Sequence, residues 1–393
     1  MWTWTGDIDL PYLGACVAQL SMTLQGDVVI VGAGLGGLGA ALALAQGGAR
    51  VAVLDARGPG DDGFSRGVGL ALVGTEEHPH HLAGGLGVER AAEYVAFTRR
   101  SIAALAALGA VHPGPTLRIA FGAREEAELD AGDALADALG LDRVVWSQDQ
   151  VAELLRGPAP GAARASAGDL HVNPAECMSR LREAAISAGV DLRHNAPVLA
   201  VEDDADGVVV LAEGGLIARA SLMVYAAGWA MAGLEPWLWD KLSPVRTRHM
   251  AAAPRPGAPR LGATAQYGHL NLSAGADGAL RWAGLRWATP HLEVGETDEA
   301  APTPAIDARL DAVHDRTLAA FGPKVAAWSV VHTHTCDNLP LVGPLPGQPR
   351  RTLCLGFRDQ QGALALESGR ALARGILGED PAQPSFLSPS RLV

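Results

Sequence analysis

Three glycines, Gly32, Gly34 and Gly37, stand at the spacing G-x-G-x-x-G. The chemistry such a spacing serves is the holding of a diphosphate. Gly32 permits a tight turn off a strand, Gly34 lets the backbone approach a phosphate, and Gly37 lets a helix pack close to a sheet. The free N–H groups and positive end of that helix then hold the negative charge. A β-branched run at 27–31 precedes the glycines, a helix-forming stretch follows, and a second apolar run ends in Asp55. That is the distance at which a carboxylate accepts hydrogen bonds from a ribose, and an acid there argues against a 2′-phosphate and so against NADP. The bland alternative, a plain glycine turn in an α/β protein, explains the bare motif but not its placement between two strands. The motif alone does not choose between FAD and NAD.

Other side chains suit a reaction beside such a cofactor. Arg286 and Arg358 are candidates for clamping a substrate carboxylate through two parallel hydrogen bonds. The alternative is a surface or interdomain salt bridge. His332 and His334 alternate on an expected strand and so share a face, lining a pocket or packing into the core. His78, His80 and His81 form an H-P-H-H run that could suggest metal, but no carboxylate or cysteine is read as completing a set with it, so a solvated loop without metal is expected. Trp282 and Trp287 are read as core packing in preference to pocket walls. No catalytic triad or acid/base pair is apparent.

These residues need elements to position them. Residues 27–31, the helix closing on Gly47–Gly48 and the strand at 50–56 form one βαβ unit. Residues 57–75 are glycine-rich and irregular. Helices are expected over 88–108, 124–139, 174–188 (opened by Asn173-Pro174), 304–322 and the stretch beginning at Gly362. Residues 156–168 read as a loop. Strands are expected at 191–194, 197–202, 207–212, 220–230 and 327–335, with 244–288 rich in β structure.

At 393 residues the chain exceeds what one hydrophobic core supports, so two domains are expected. A net charge of −12, with only Lys241 and Lys324 among the lysines and no basic stripe, argues against nucleic acid and anionic membrane surfaces as partners. The four cysteines, Cys16, Cys177, Cys336 and Cys354, form no CxxC pair, which fits a reducing cytosol and disfavours a redox disulfide. Asp7 and Asp9 stand where a signal peptide needs basic residues, and no run is apolar enough to span a membrane. Residues 1–26 are expected to be an N-terminal arm, with Met22 a candidate start of translation.

The chain resembles the D-amino acid oxidase-like flavoprotein superfamily, which includes sarcosine, glycine and γ-glutamylputrescine oxidases. Five segments carry the resemblance from Asp27 to about Gly378: the dinucleotide unit; Gly63-Phe64-Ser65-Arg66-Gly67-Val68-Gly69; Asn173-Pro174 with Ala196-Pro197-Val198; Val224-Tyr225-Ala226-Ala227-Gly228; and Asp337 to Pro344 with Gly356-Phe357-Arg358-Asp359-Gln360-Gln361-Gly362. The resemblance implies FAD. Its binding residues are then Gly32, Gly34, Gly36, Gly37, Asp55, Ala56, Arg57, Ser65, Arg66, Val198, Ala227, Gly228, Gly356, Gln360, Gln361 and Gly362. It implies Arg286, Arg358 and His332 as the residues nearest the reaction. The loop at 356–362 departs from the family's tighter glycine pattern, so the substrate does not transfer. Cys336 and Cys354 are offset from the family's site of covalent attachment, near Val330 here, so noncovalent FAD is expected.

The implied fold is α/β, or α+β overall: a Rossmann-like FAD-binding domain (27–85, 165–240 and 335–385) and a discontinuous antiparallel-sheet substrate domain (86–164 and 241–334). The implied activity is oxidation of the C–N bond of a small-molecule amine or amino acid to an imine, with O2 as acceptor, in a cytoplasmic monomer or homodimer. The alternatives are a flavin-dependent hydroxylase and a non-catalytic FAD-binding subunit.

Overall fold

A computed structural model describes residues 22–276 and 278–393. Residues 1–21, most of the expected arm, lie outside the described residues. Residues Met22–Gln25 are no arm but a strand, paired in parallel with Leu216–Ala220.

A six-stranded sheet forms around Val28–Val31, Val51–Leu54 and Leu222–Tyr225, with Asp191–Arg193 and Gln348–Leu355 outside them and Leu341–Leu345 at one edge. All neighbours are parallel except the edge hairpin. The fully buried patterns of Val28–Val31 and Val51–Leu54 follow from helices or sheet covering both faces. A four-stranded sheet covers one side. The helices Leu35–Gln46 and Gln361–Ile376 share the core on the other with Val88–Ala106. That last helix was expected in the substrate domain. Its buried face (Tyr94, Phe97, Ile102, Leu105) joins the Rossmann-side core instead.

An eight-stranded sheet takes its strands from two stretches of sequence, 116–166 and 242–335. Its neighbours are antiparallel apart from Leu261–Ala265 beside Thr116–Ile119. The expected loop at 156–168 contains one of its strands, Ala163–Ser166, in which Arg164 is paired with Asp130 and Asp133. The helix expected over 304–322 ends at Val313 and continues as tighter and wider turns to Phe321.

The helices Leu35–Gln46 and Gln361–Ile376 touch backbone to backbone. A methyl on Gly369 would collide with the Gly36 carbonyl oxygen and meet Ala40 N at 2.6 Å. Gly369→Ala is therefore expected to lower stability by about 1–3 kcal/mol, the cost of overpacking a filled core. A urea unfolding midpoint that does not move would contradict this.

Candidate functional site

The helix Leu35–Gln46 is capped by Gly34, and no side chain satisfies its first turn. Its leading N–H groups have no partner inside the helix. Gly34, Leu35 and Gly36 stand on the wall of a cleft of about 930 Å³. Asp55, Ala56 and Arg57 line it beyond the second strand, Ala227 and Gly228 at the turn after Leu222–Tyr225, and Gly356, Arg358 and Gln361 at the start of the C-terminal helix.

The glycines fit this cleft to a dinucleotide. A methyl on Gly34 would meet no atom of the described residues within 4 Å, and Gly34 lines the cleft, so the space beside it belongs to the cleft. Gly32 has φ +111°, and a methyl there would lie 2.6 Å from the Ala226 carbonyl carbon. A methyl on Gly37 would collide with the Gly32 carbonyl oxygen. Asp55 accepts from Ala33 N at 2.6 Å and from Arg57 N at 2.8 Å, fixing the loop. A carboxylate has about four acceptor sites, so two remain for a ribose.

Next to the cleft, two small chambers lie against the eight-stranded sheet. Gly63, His332 and Gln361 wall both the cleft and the first chamber, and Arg358 walls both the cleft and the second. Arg286, on a short turn after Leu280–Gly284, faces the second chamber. Among the described residues neither guanidinium has a hydrogen-bond or ion-pair partner. Arg358 is also held at φ +53°, a left-handed conformation costly for a non-glycine residue.

The remaining walls are charged or polar. His332 is buried, with Nδ1 3.1 Å from Gln361 Nε2 and Nε2 3.0 Å from Asp359 Oδ1. Burial alone would raise Asp359, but His332, His334 and Arg286 outweigh it and hold the carboxyl well below the usual range. Glu76 behaves in the opposite way. Burial first, then the charge of Asp359, pushes it from its ordinary 4.5 up to about 8. Burial also pushes His249 down to about 3 and His334 down to about 4, and lowers His269, so these rings are neutral at pH 7.

The sign for Glu76 is fixed by linkage. The folded state keeps a proton that the unfolded state loses above pH 4.5, so this contribution to stability is complete below that pH. It declines as pH rises and is gone above about 8. Glu76→Gln is expected to flatten that decline in a series of urea midpoints against pH; parallel curves for the two proteins would contradict it.

Several expected cofactor residues face elsewhere. Ser65 is held by Asp62, which accepts from its backbone N–H and its hydroxyl. Arg66 reaches the other way, to Glu299 at 2.6 Å and the Ser329 carbonyl at 2.8 Å. Gln360 is buried between Tyr94 and Thr75. Val198 lies in the four-stranded sheet and packs on its core. None of the four lines the cleft. Gly37 and Gly362 also stand behind the wall, where their bareness allows close packing. His332 and His334 both face the chambers, and Trp282 is fully buried while Trp287 is exposed. The histidine run also differs from expectation: His78 is buried, His80 and His81 begin the helix Pro79–Leu86, and Glu128 from a distant helix meets them. Glu76 and Asp359 were not singled out from the sequence, although Asp359 lies between two residues that were.

The family of FAD dependent oxidoreductases abbreviated DAO matches residues 27–374. The chain belongs to this family. Like the rest of the DAO family it is an FAD-dependent oxidoreductase. No curated protein matches this DAO chain. Among solved structures it is similar to glycine oxidase from Geobacillus kaustophilus, with TM-score 0.79 and 20% identity over 94% of this chain and 100% of that one. L-proline dehydrogenase from P. horikoshii gives TM-score 0.79 at 16% identity, covering 94% and 98%. Iminodiacetate oxidase from Chelativorans sp. BNC1 gives 0.71 at 19%, covering 92% and 98%. At these identities the likeness is one of fold. No helix of the described residues is long and apolar enough to cross a membrane.

Proposed function

We propose that this DAO-family chain oxidises the C–N bond of a small amino acid or amine to an imine, with FAD in the cleft and substrate in the chambers behind it. FAD held by the residues of the cleft would supply the two-electron redox chemistry for this oxidation, with O2 as the proposed final acceptor. The observation that carries this reading is the pair of guanidiniums unpartnered among the described residues, Arg286 and Arg358, in a chamber that shares Arg358 with the cleft wall.

Each residue has a part that follows from its state. Arg286 and Arg358 bind a carboxylate, and the second, also on the cleft wall, sets its distance from the cofactor. Ionised Asp359 attracts the substrate ammonium, whose proton leaves to solvent before the carbon beside it gives up a hydride. His332 positions Asp359 and Gln361 at the junction of cleft and chamber. Protonated Glu76 donates a hydrogen bond where a second carboxylate charge would repel the substrate. The N-terminus of the helix Gln361–Ile376 carries partial positive charge at the cleft, where negative charge develops on reduction. Cys354 lies on the cleft wall, but burial pushes its thiol up to about 12, so it stays protonated and unreactive. FAD is accordingly held without a covalent bond, and acid precipitation should release all of it into the supernatant.

The test is anaerobic mixing of the FAD-loaded protein with amino acids and with amines. Bleaching of the oxidised flavin absorbance by one of these classes is the expected result. A colourless protein that takes up no FAD, or a flavin that none of them bleaches, sinks the reading. Reoxidation by O2 with peroxide release separates an oxidase from a dehydrogenase that needs another acceptor.

A further inference from the structure

Outside the cleft, the helices Pro79–Leu86 and Ala123–Asp133 meet through side chains that the proposed oxidation does not use. His80 Nε2 lies 2.7 Å and His81 Nε2 3.2 Å from the same oxygen, Glu128 Oε2. The three donor atoms all fall within 4.8 Å of one another. The two imidazoles are neighbours in sequence, yet their rings sit 4.3 Å apart and converge on one carboxylate oxygen. Tetrahedral ligation with bonds of about 2.0–2.1 Å places donor atoms roughly 3.3 Å apart. The His81–Glu128 separation is already there, and the His80–Glu128 pair has to open by about 0.6 Å for the same geometry.

We propose that His80, His81 and Glu128 bind one divalent transition-metal ion of the zinc class. Two imidazoles and one carboxylate are the donors such an ion takes, in preference to the all-oxygen sets of calcium or magnesium. A plain hydrogen-bonded clamp needs only one ring on the carboxylate, whereas here two rings crowd it. His78 closes the site from inside: it is buried, stacks on the His80 ring at 6.0 Å, and among the described residues has no hydrogen-bond partner at either ring nitrogen, Glu125 lying 3.6 Å from Nε2. All three donors keep some exposure, which gives the ion an entry path and leaves a coordination position for water.

The site is one layer of side chains from the second chamber. The His78 ring packs edge-on against Tyr267, a chamber residue, at 5.4 Å, and Glu125 accepts from Tyr267 N at 2.6 Å. The bound ion ties the two helices together beside that wall and stabilises the folded chain by mass action.

The test uses tag-free, FAD-loaded protein, stripped with a chelator and dialysed against ZnCl2, with zinc per chain measured by elemental analysis and thermal midpoints recorded with and without zinc. Wild type is expected to take up one zinc and to melt higher in its presence. His80→Gln and Glu128→Gln, both close in shape to the native side chains, should bind zinc more than about tenfold more weakly, since even an outer-shell partner is worth about 10–100-fold in affinity. Both should keep full flavin content and lose the zinc-dependent rise in midpoint. Wild type that shows no saturable uptake, or variants that both bind zinc as tightly as wild type, would overturn the proposal.

Discussion

Arg286→Ala is expected to lower kcat/KM for the preferred amino acid about 30-fold or more, while leaving flavin content and thermal midpoint near wild type. The guanidinium makes no hydrogen bond or ion pair among the described residues, and Asp359, whose carboxyl its charge helps to hold low, keeps His332 at 3.0 Å when Arg286 is removed. Its loss is felt mainly when a substrate carboxylate arrives. Truncating one side of a hydrogen-bonded charge pair costs about 2–5 kcal/mol, and each 1.4 kcal/mol is roughly a factor of ten. Amines without a carboxylate provide the control, since their turnover should change little. Arg286→Lys should recover only part of the loss, because an ammonium cannot offer two parallel donors. An equal fall for amino acids and uncharged amines would show that Arg286 acts on the fold and not on the substrate.

Gly34→Ala should weaken FAD binding by about tenfold to a hundredfold without unfolding the protein. The new methyl meets no atom of the described residues within 4 Å, and φ at this residue is an ordinary −72°, so the apoprotein should stay within about 0.5 kcal/mol of wild type. The methyl occupies the space where a diphosphate must approach the helix end. One lost hydrogen bond to a charged phosphate is worth about 1.5–3 kcal/mol, which sets the expected range. Gly37→Ala makes the contrast, because its methyl would collide with the Gly32 carbonyl and strain the loop itself. Flavin titration and urea unfolding of the two apoproteins separate these effects. Unchanged FAD affinity in Gly34→Ala would place the cofactor elsewhere.

The elements that could be read in advance are those whose physics is local. Val28–Val31 and Val51–Leu54 are apolar on both faces because they are buried on both, and the glycines between them are required by steric contacts a few residues away. The same holds for Pro174–Ser187, opened by a proline and capped by Asn173. What escaped reading depends on distant partners. Ala163–Ser166 is too small and polar to look like a strand, and is one because Thr116–Ile119 and Arg143–Trp146 flank it. Glu128 is nearly fifty residues from the histidines it meets, so their grouping leaves no trace in spacing. Ser65 and Arg66 have types that suit a phosphate, but Asp62 and Glu299 hold them first. The charge state of Glu76 is likewise set by its burial in the fold and then by Asp359 from the far end of the chain.

The six-stranded sheet draws on residues 28–54, 191–225 and 341–355, so its middle and its margin are made at opposite ends of synthesis. As the polypeptide leaves the ribosome, Leu222–Tyr225 waits with one side unpaired until Gln348–Leu355 emerges. A sticky, half-built edge of this sort is prone to pairing with other chains. Recombinant yield should therefore be governed by chaperone supply and growth temperature, and a product ending before residue 341 should collect in inclusion bodies whatever flavin is supplied.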